Sequence, residues 1–189
     1  MTVKYINHRG KTYYLHKVAR KKGSSQYFFS KKETGALVES IPEGYEIYED
    51  PNGRVFLRKI VPKKISQEEV SVVESSIRQY AKIKDYKIDV KGKAITIYLP
   101  DQEIEDLRSC FDSLISMNHT LLGKSLKNFL TYSPMMRFLL TDEKKRKFHV
   151  ERAQFLDDDW YLLDASKDLQ KLAQKYCRHL GKDSFYELL

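Results

Sequence analysis

The chain has 189 residues, of which 41% are hydrophobic and 12% aromatic, and this composition excludes wholesale disorder. No apolar run approaches membrane-spanning length, and neither of the two cysteines belongs to a paired-cysteine motif, so we expect a cytoplasmic protein without a disulfide framework, a zinc ribbon or a membrane partner. The formal net charge of +8 lies entirely in residues 1–65, which hold 14 Lys and Arg against 6 Asp and Glu, whereas residues 66–189 hold 20 of each.

Residues 1–62 are predicted to form a small, basic, β-rich module. The sequence Asp50-Pro51-Asn52-Gly53 is a strong turn signal, because Asn-Gly readily adopts positive φ, and it predicts a hairpin between its two flanking strands. The predicted strands of the module are Lys11–Ala19, Gln26–Lys31, Ala36–Ser40, Tyr45–Glu49 and Arg54–Ile60.

Residues 63–189 are predicted to form a larger α+β portion that starts with a helix. Ser66 and Glu69 have the spacing of a capping box, and apolar residues then recur at helical intervals to about Lys82. A second hairpin, Tyr86–Val90 with Ala94–Leu99, follows around the turn Lys91-Gly92-Lys93.

The rest of the chain is predicted to alternate between helices and strands. Two helices are expected over residues 101–115 and 121–130, and a last helix from near Ser166 to Gly181. The three strands predicted between them are Met135–Leu140, Phe148–Ala153 and Trp160–Leu163. The short connections leave no room for parallel crossovers, so the expected class is α+β, with antiparallel hairpins and three to four amphipathic helices.

The strongest candidate site is a basic and aromatic face in the first module. Side chains alternate across a strand, so if Val55 and Leu57 face the core, their neighbours face outward. An exposed aromatic ring can stack on a base while flanking cations neutralise phosphates, which predicts a non-catalytic protein that binds DNA or RNA without a cofactor. The residues predicted to bind nucleic acid are Lys11, Tyr13, Lys17, Lys21, Lys22, Lys31, Lys32, Tyr48, Arg54, Phe56 and Arg58.

Two other interpretations use the same residues or their neighbours differently. Basic residues on short strands also protect sheet edges, and exposed aromatic residues also bind proteins, so a protein-interaction adaptor is the main alternative. A remote third possibility is a metal-dependent nuclease built on Asp89-Val90-Lys91 with Asp85, although the spacing departs from that pattern. The run Asp157–Asp159 is more typical of a hairpin tip than of a calcium loop.

The sequence resembles a group of uncharacterised microbial proteins. The resemblance is clearest over residues 10–60, in Gly10-Lys11-Thr12-Tyr13-Tyr14-Leu15-His16, in Ile41-Pro42-Glu43-Gly44-Tyr45 and in Pro51-Asn52-Gly53-Arg54-Val55-Phe56-Leu57-Arg58-Lys59. It implies that the basic module and the later portion occur together, and it assigns no activity and no functional residue.

Overall fold

The computed structural model describes residues 2–19, 25–102, 106–107, 126, 128–154 and 159–188. The chain divides into two compact units, Met1–Val61 (unit 1) and Pro62–Leu189 (unit 2). Of the described residues, 42% lie in strands and 19% in helices. No helix among them is long and apolar enough to cross a membrane.

Unit 1 contains two antiparallel sheets. The first sheet has the order β1-β2-β3, with β1 at Lys4–Ile6, β2 at Thr12–Ala19 and β3 at Ser25–Ser30. The second is the hairpin of β4, Tyr45–Glu49, and β5, Val55–Lys59, as the Asn-Gly turn predicts. The two sheets meet where β3 contacts β5, and the buried core of the unit includes Leu15 and Val55.

A polar contact between two turns joins the sheets of unit 1. The Asn7 side chain is buried in the turn that follows β1, where its Oδ1 accepts from the backbone amides of Arg9 and Lys11. Its Nδ2 donates to the carbonyl oxygen of Gly53 at 2.6 Å. Gly53 has a φ of 74°, which an L side chain tolerates poorly, so glycine is required both by the backbone and by the approach of Asn7.

Unit 2 is an antiparallel sheet covered by two helices. Helix α1 precedes five strands that pair in chain order from β6 to β10, and helix α2 follows them. The core combines Val73 of α1 and Leu172 of α2 with Ile97, Phe138 and Val150 of the sheet. The bounds are α1 Gln67–Tyr80, β6 Lys87–Lys91, β7 Ala94–Pro100, β8 Tyr132–Asp142, β9 Lys147–Ala153, β10 Trp160–Ser166, α2 Leu169–Cys177 and a 3₁₀ turn Asp183–Phe185.

The predicted capping box of α1 is confirmed. The Ser66 hydroxyl accepts from the Glu69 amide at 3.3 Å, and the Glu69 carboxylate accepts from the Ser66 amide at 2.9 Å. The same carboxylate is bound by the Arg146 guanidinium from the turn between β8 and β9. Glu69 therefore caps the first turn of α1 and also ties it to the turn between β8 and β9.

The predicted fold class is wrong for the described part of the chain. Antiparallel pairing is confirmed, but the described residues are mostly β and contain two α-helices rather than three to four. The helices predicted over 101–115 and 121–130 fall largely on residues outside those described. The β-rich character follows from ten antiparallel strands in three sheets, and in unit 2 the apolar faces of α1 and α2 pack with the sheet in one core.

Replacing Gly53 by Ala should destabilise unit 1 more than the same change at Gly44. Both glycines have positive φ, so both variants carry backbone strain of about 1 kcal/mol. At Gly53 an added Cβ would also lie 3.0 Å from Asn7 Nδ2 and 3.1 Å from Arg9 Cδ, whereas nothing lies within 4 Å at Gly44. Hydrogen exchange of the β1, β2, β4 and β5 amides measures the difference, and equal protection in the two variants would contradict the turn contact.

Replacing Ser66 by Ala should lower the free energy of unfolding of unit 2 by about 1 kcal/mol, because it removes the side-chain acceptor at the start of α1. Ser75→Ala is the matched control, since Ser75 is exposed in the middle of the same helix, where alanine is a better helix former. Urea unfolding followed by the fluorescence of Trp160 measures both changes. A Ser66→Ala variant as stable as Ser75→Ala would show that the cap contributes nothing.

Candidate nucleic-acid interface

The outward face of the β4–β5 hairpin brings two aromatic rings together. Tyr48 lies directly opposite Phe56, and their ring centroids are 6.3 Å apart with an interplanar angle of 27°. Phe56 retains 45% of its surface exposed, while its neighbour Val55 is buried. The alternation of the strand therefore directs Val55 to the core and leaves the Phe56 ring accessible.

A guanidinium group completes this cluster. Arg58 lies two residues beyond Phe56 on the same face, with its guanidinium carbon 4.0 Å from the centroid of the Tyr48 ring. Arg58 Nε donates to Glu46 Oε1 at 2.8 Å, and Glu46 is the residue directly opposite Arg58 in the hairpin. Because Glu46 holds the guanidinium in place, the group is ordered before any ligand arrives. We call Tyr48, Phe56 and Arg58, together with Glu46 on the same face, the hairpin stack.

The arginines of the hairpin have acidic partners. Arg54 Nε donates to Asp50 Oδ2 at 2.6 Å, although 70% of the Arg54 side chain remains exposed. Arg58 is paired with Glu46 in the same way. Both arginines of the hairpin are thus paired with carboxylates of the same hairpin, although Arg54 remains largely exposed.

The predicted residues of β2 lie on a face that is buried at its centre. Tyr13 is half-buried, and Leu15, two residues further on, is completely buried. Lys17 is exposed at the end of this row, with its ammonium nitrogen 5.9 Å from the centroid of the Tyr27 ring. Lys11 is exposed just before β2 begins. The two lysines therefore lie at opposite ends of the strand, separated by a core position.

Lys31 and Lys32 are presented by a segment that is anchored to β2. Both residues are exposed, and the Lys32 carbonyl oxygen lies 3.0 Å from Nε2 of the buried His16. His16 also stacks on Phe28, with ring centroids 5.3 Å apart, and pairs with Leu37 in a β-bridge. These contacts fix the backbone from which the two lysines extend, directly after the strand that contacts β5. Lys21 and Lys22 lie outside the described residues.

Sequence reasoning missed two contributors to this surface. Glu46 orients Arg58, and counting back from the Asn-Gly turn pairs these two residues, so the signal was present in the hairpin register. Phe28 keeps 40% of its surface exposed and covers His16. Its alternation with Tyr27 in an aromatic run does not reveal which of the two rings faces outward.

The residues considered for catalysis do not assemble into a site within the described ranges. No group of three or more His, Cys, Asp or Glu side chains among these residues could hold a metal ion. Asp89 lies on β6 opposite Thr96, and Asp85 accepts a hydrogen bond from the Tyr132 hydroxyl at 3.2 Å. Asp157 and Asp158 lie outside the described residues.

Cys177 belongs to the core rather than to a reactive site. It is fully buried among the apolar residues of α2, and this burial raises the pKa of its thiol to about 12. Cys110 lies outside the described residues. A buried thiol that stays protonated at neutral pH is a poor nucleophile.

Comparison of the chain with protein families, with curated proteins and with solved structures found no match.

Cys177 should resist alkylation in the folded protein. With a pKa of about 12, on the order of one thiol in ten thousand is ionised at pH 8, and the side chain is also sterically inaccessible. Peptide mapping by mass spectrometry after iodoacetamide treatment measures this, with the urea-unfolded protein as the control for full reaction. Rapid modification of Cys177 in the native protein would contradict its place in the core.

Proposed function

We propose that the protein binds nucleic acid through unit 1, without catalysing a reaction. The observation that carries the proposal is the hairpin stack, in which Phe56 lies exposed against Tyr48 and Arg58 is held over the Tyr48 ring. Aromatic rings and ordered guanidinium groups are the side chains that contact nucleic-acid bases by stacking.

The charge of unit 1 supports this choice of ligand. Residues 1–61 contain 12 Lys and Arg against 6 Asp and Glu. Two of the acidic residues, Glu46 and Asp50, are held by Arg58 and Arg54. The exposed lysines carry the excess of positive charge, and among the described residues no carboxylate forms an ion pair with Lys31 or Lys32. Positive charge and stacking groups within one unit match a phosphate backbone that carries bases.

The exposed aromatic surface also fits the alternative, a protein-interaction adaptor. The composition around the hairpin stack favours nucleic acid, because lysines are depleted from the centres of protein–protein interfaces and enriched where phosphates are bound. In the adaptor interpretation, the lysines of unit 1 only keep the protein dissolved, and affinity for nucleic acid would depend on the total charge of the protein and not on where that charge lies.

Replacing Lys31 and Lys32 together by Ala should weaken nucleic-acid binding and flatten its dependence on salt. Each phosphate contact contributes about 0.7 to 0.9 to the slope of log affinity against log salt concentration, so the loss of two contacts should reduce that slope by about 1.5. Fluorescence anisotropy with a labelled oligonucleotide over a range of salt concentrations measures the slope.

Lys144→Ala with Lys145→Ala is the matched control. These two residues are also adjacent and exposed, but they lie in the β8–β9 turn of unit 2, so the double variant removes the same charge from the other unit. The proposal expects this control to bind nearly as the parent protein does. Equal losses in the two double variants would show that only total charge matters, and the proposal would then be wrong.

A further inference from the structure

The hairpin stack supports a further inference about its ligand, and this inference rests on the proposed function. We infer that its ligand is an unpaired nucleotide, with a base stacking on Phe56 beside Arg58, so that unit 1 selects single strands over duplexes. The inference concerns the same surface and names the class of nucleic acid that it binds.

The accessible part of the stack is flat and apolar. One side of Phe56 packs against Tyr48, and nearly half of the side chain is still open to solvent. A base inside a duplex is covered on both faces by its neighbours and offers only its edges in the grooves. A ring on a strand face can therefore stack on a base only where that base is unpaired.

The guanidinium group adds a second planar surface at a fixed position. Arg58 is only 29% exposed, because it lies between the Tyr48 ring and the carboxylate of Glu46. Its charge is balanced by Glu46, so it acts less as a phosphate ligand than as a plane for stacking. Ordering of the group before binding lowers the entropy that a flexible ligand must lose on association.

Charge complementarity identifies the occupant as a polyanion rather than an apolar protein surface. Unit 1 has the excess of basic residues described above, and its Lys31 and Lys32 are exposed directly after β3, the strand that contacts β5. A single strand carries both kinds of group that unit 1 can bind, because its bases offer faces to the rings and its phosphates offer charge to the exposed lysines of the unit. DNA and RNA strands share this chemistry.

The test separates bases from phosphates. Dissociation constants are measured by fluorescence anisotropy for four labelled probes: a thymidine strand, a uridine strand, a duplex of the same length, and an abasic strand with the same number of phosphates. We expect both base-carrying strands to bind on the order of tenfold more tightly than the abasic strand and the duplex, because base–aromatic stacking contributes affinity that phosphates alone do not. The thymidine and uridine strands distinguish DNA from RNA as the source of the unpaired bases, and a loss on removing the bases supports the inference with either sugar.

Variants of the stack should remove the preference while leaving the phosphate contacts in place. Phe56→Leu keeps an apolar side chain at an exposed position but lacks the ring. The ratio of the dissociation constant of the abasic strand to that of the base-carrying strands should therefore lose most of its value, while the dependence of affinity on salt should not change. Glu46→Gln should reduce this ratio less, because the substitution releases the Arg58 guanidinium without removing a ring. Tyr161→Leu is the control, an exposed aromatic residue of unit 2 that should have no effect.

The possible outcomes distinguish a failure of the inference from a failure of the proposed function. Salt-dependent binding that is equal for the abasic and the base-carrying strands would overturn the inference and leave phosphate binding by unit 1 intact. Salt-dependent binding with a preference for the duplex would overturn it as well. If none of the four probes binds at low salt, the proposed function itself is wrong.

Discussion

Unit 1 depends on the contact between two turns, in which the buried Asn7 side chain binds the Gly53 carbonyl. The carboxylate of Asp50 organises the same turn, accepting from the backbone amides of Asn52 and Arg54 at 3.0 and 2.8 Å. A tight turn sets the register of the strands it joins, so these few hydrogen bonds decide that Tyr48 faces Phe56 and Glu46 faces Arg58. A slip of one residue would turn Phe56 into the core and Val55 outward. The arrangement of side chains at the candidate site therefore depends first on the geometry of this turn.

The carboxylates of this hairpin each accept a hydrogen bond from a donor within unit 1. Asp50 holds the turn and Arg54, Glu46 orients Arg58, and Glu49 accepts from the Tyr5 hydroxyl at 2.9 Å, which raises the pKa of that phenol. Each compensates a charge or satisfies a donor near the strands. Residues 45–59 contain three acidic and three basic residues, so the hairpin carries no net charge and the excess of basic residues in unit 1 lies outside it.

The sequence was most informative where local rules act alone. The Asn52-Gly53 turn and the Ser66–Glu69 capping box predicted a hairpin and a helix start that depend on neighbouring residues only, and both are present. The sequence was least informative where burial decides. Alternation along β2 offers two faces, and it does not indicate that Leu15 would be fully buried between Tyr13 and Lys17. The predicted three to four helices are wrong for the described residues, which hold two, and the predicted helices over 101–115 and 121–130 lie largely outside those residues.

Basic residues in the sequence did not indicate by themselves which of them are paired with carboxylates in unit 1. Arg54 and Arg58 are the most suggestive cations in the sequence, since they flank Phe56, yet each is paired with a carboxylate of its own hairpin. Lys31 and Lys32 look ordinary in the sequence, but the contact of His16 with the Lys32 carbonyl fixes the backbone that carries them. A paired arginine loses little by becoming a stacking surface, because its charge is already balanced. In the proposed function, an exposed lysine on an anchored segment keeps its charge for a phosphate, and the backbone that carries it loses little entropy on binding.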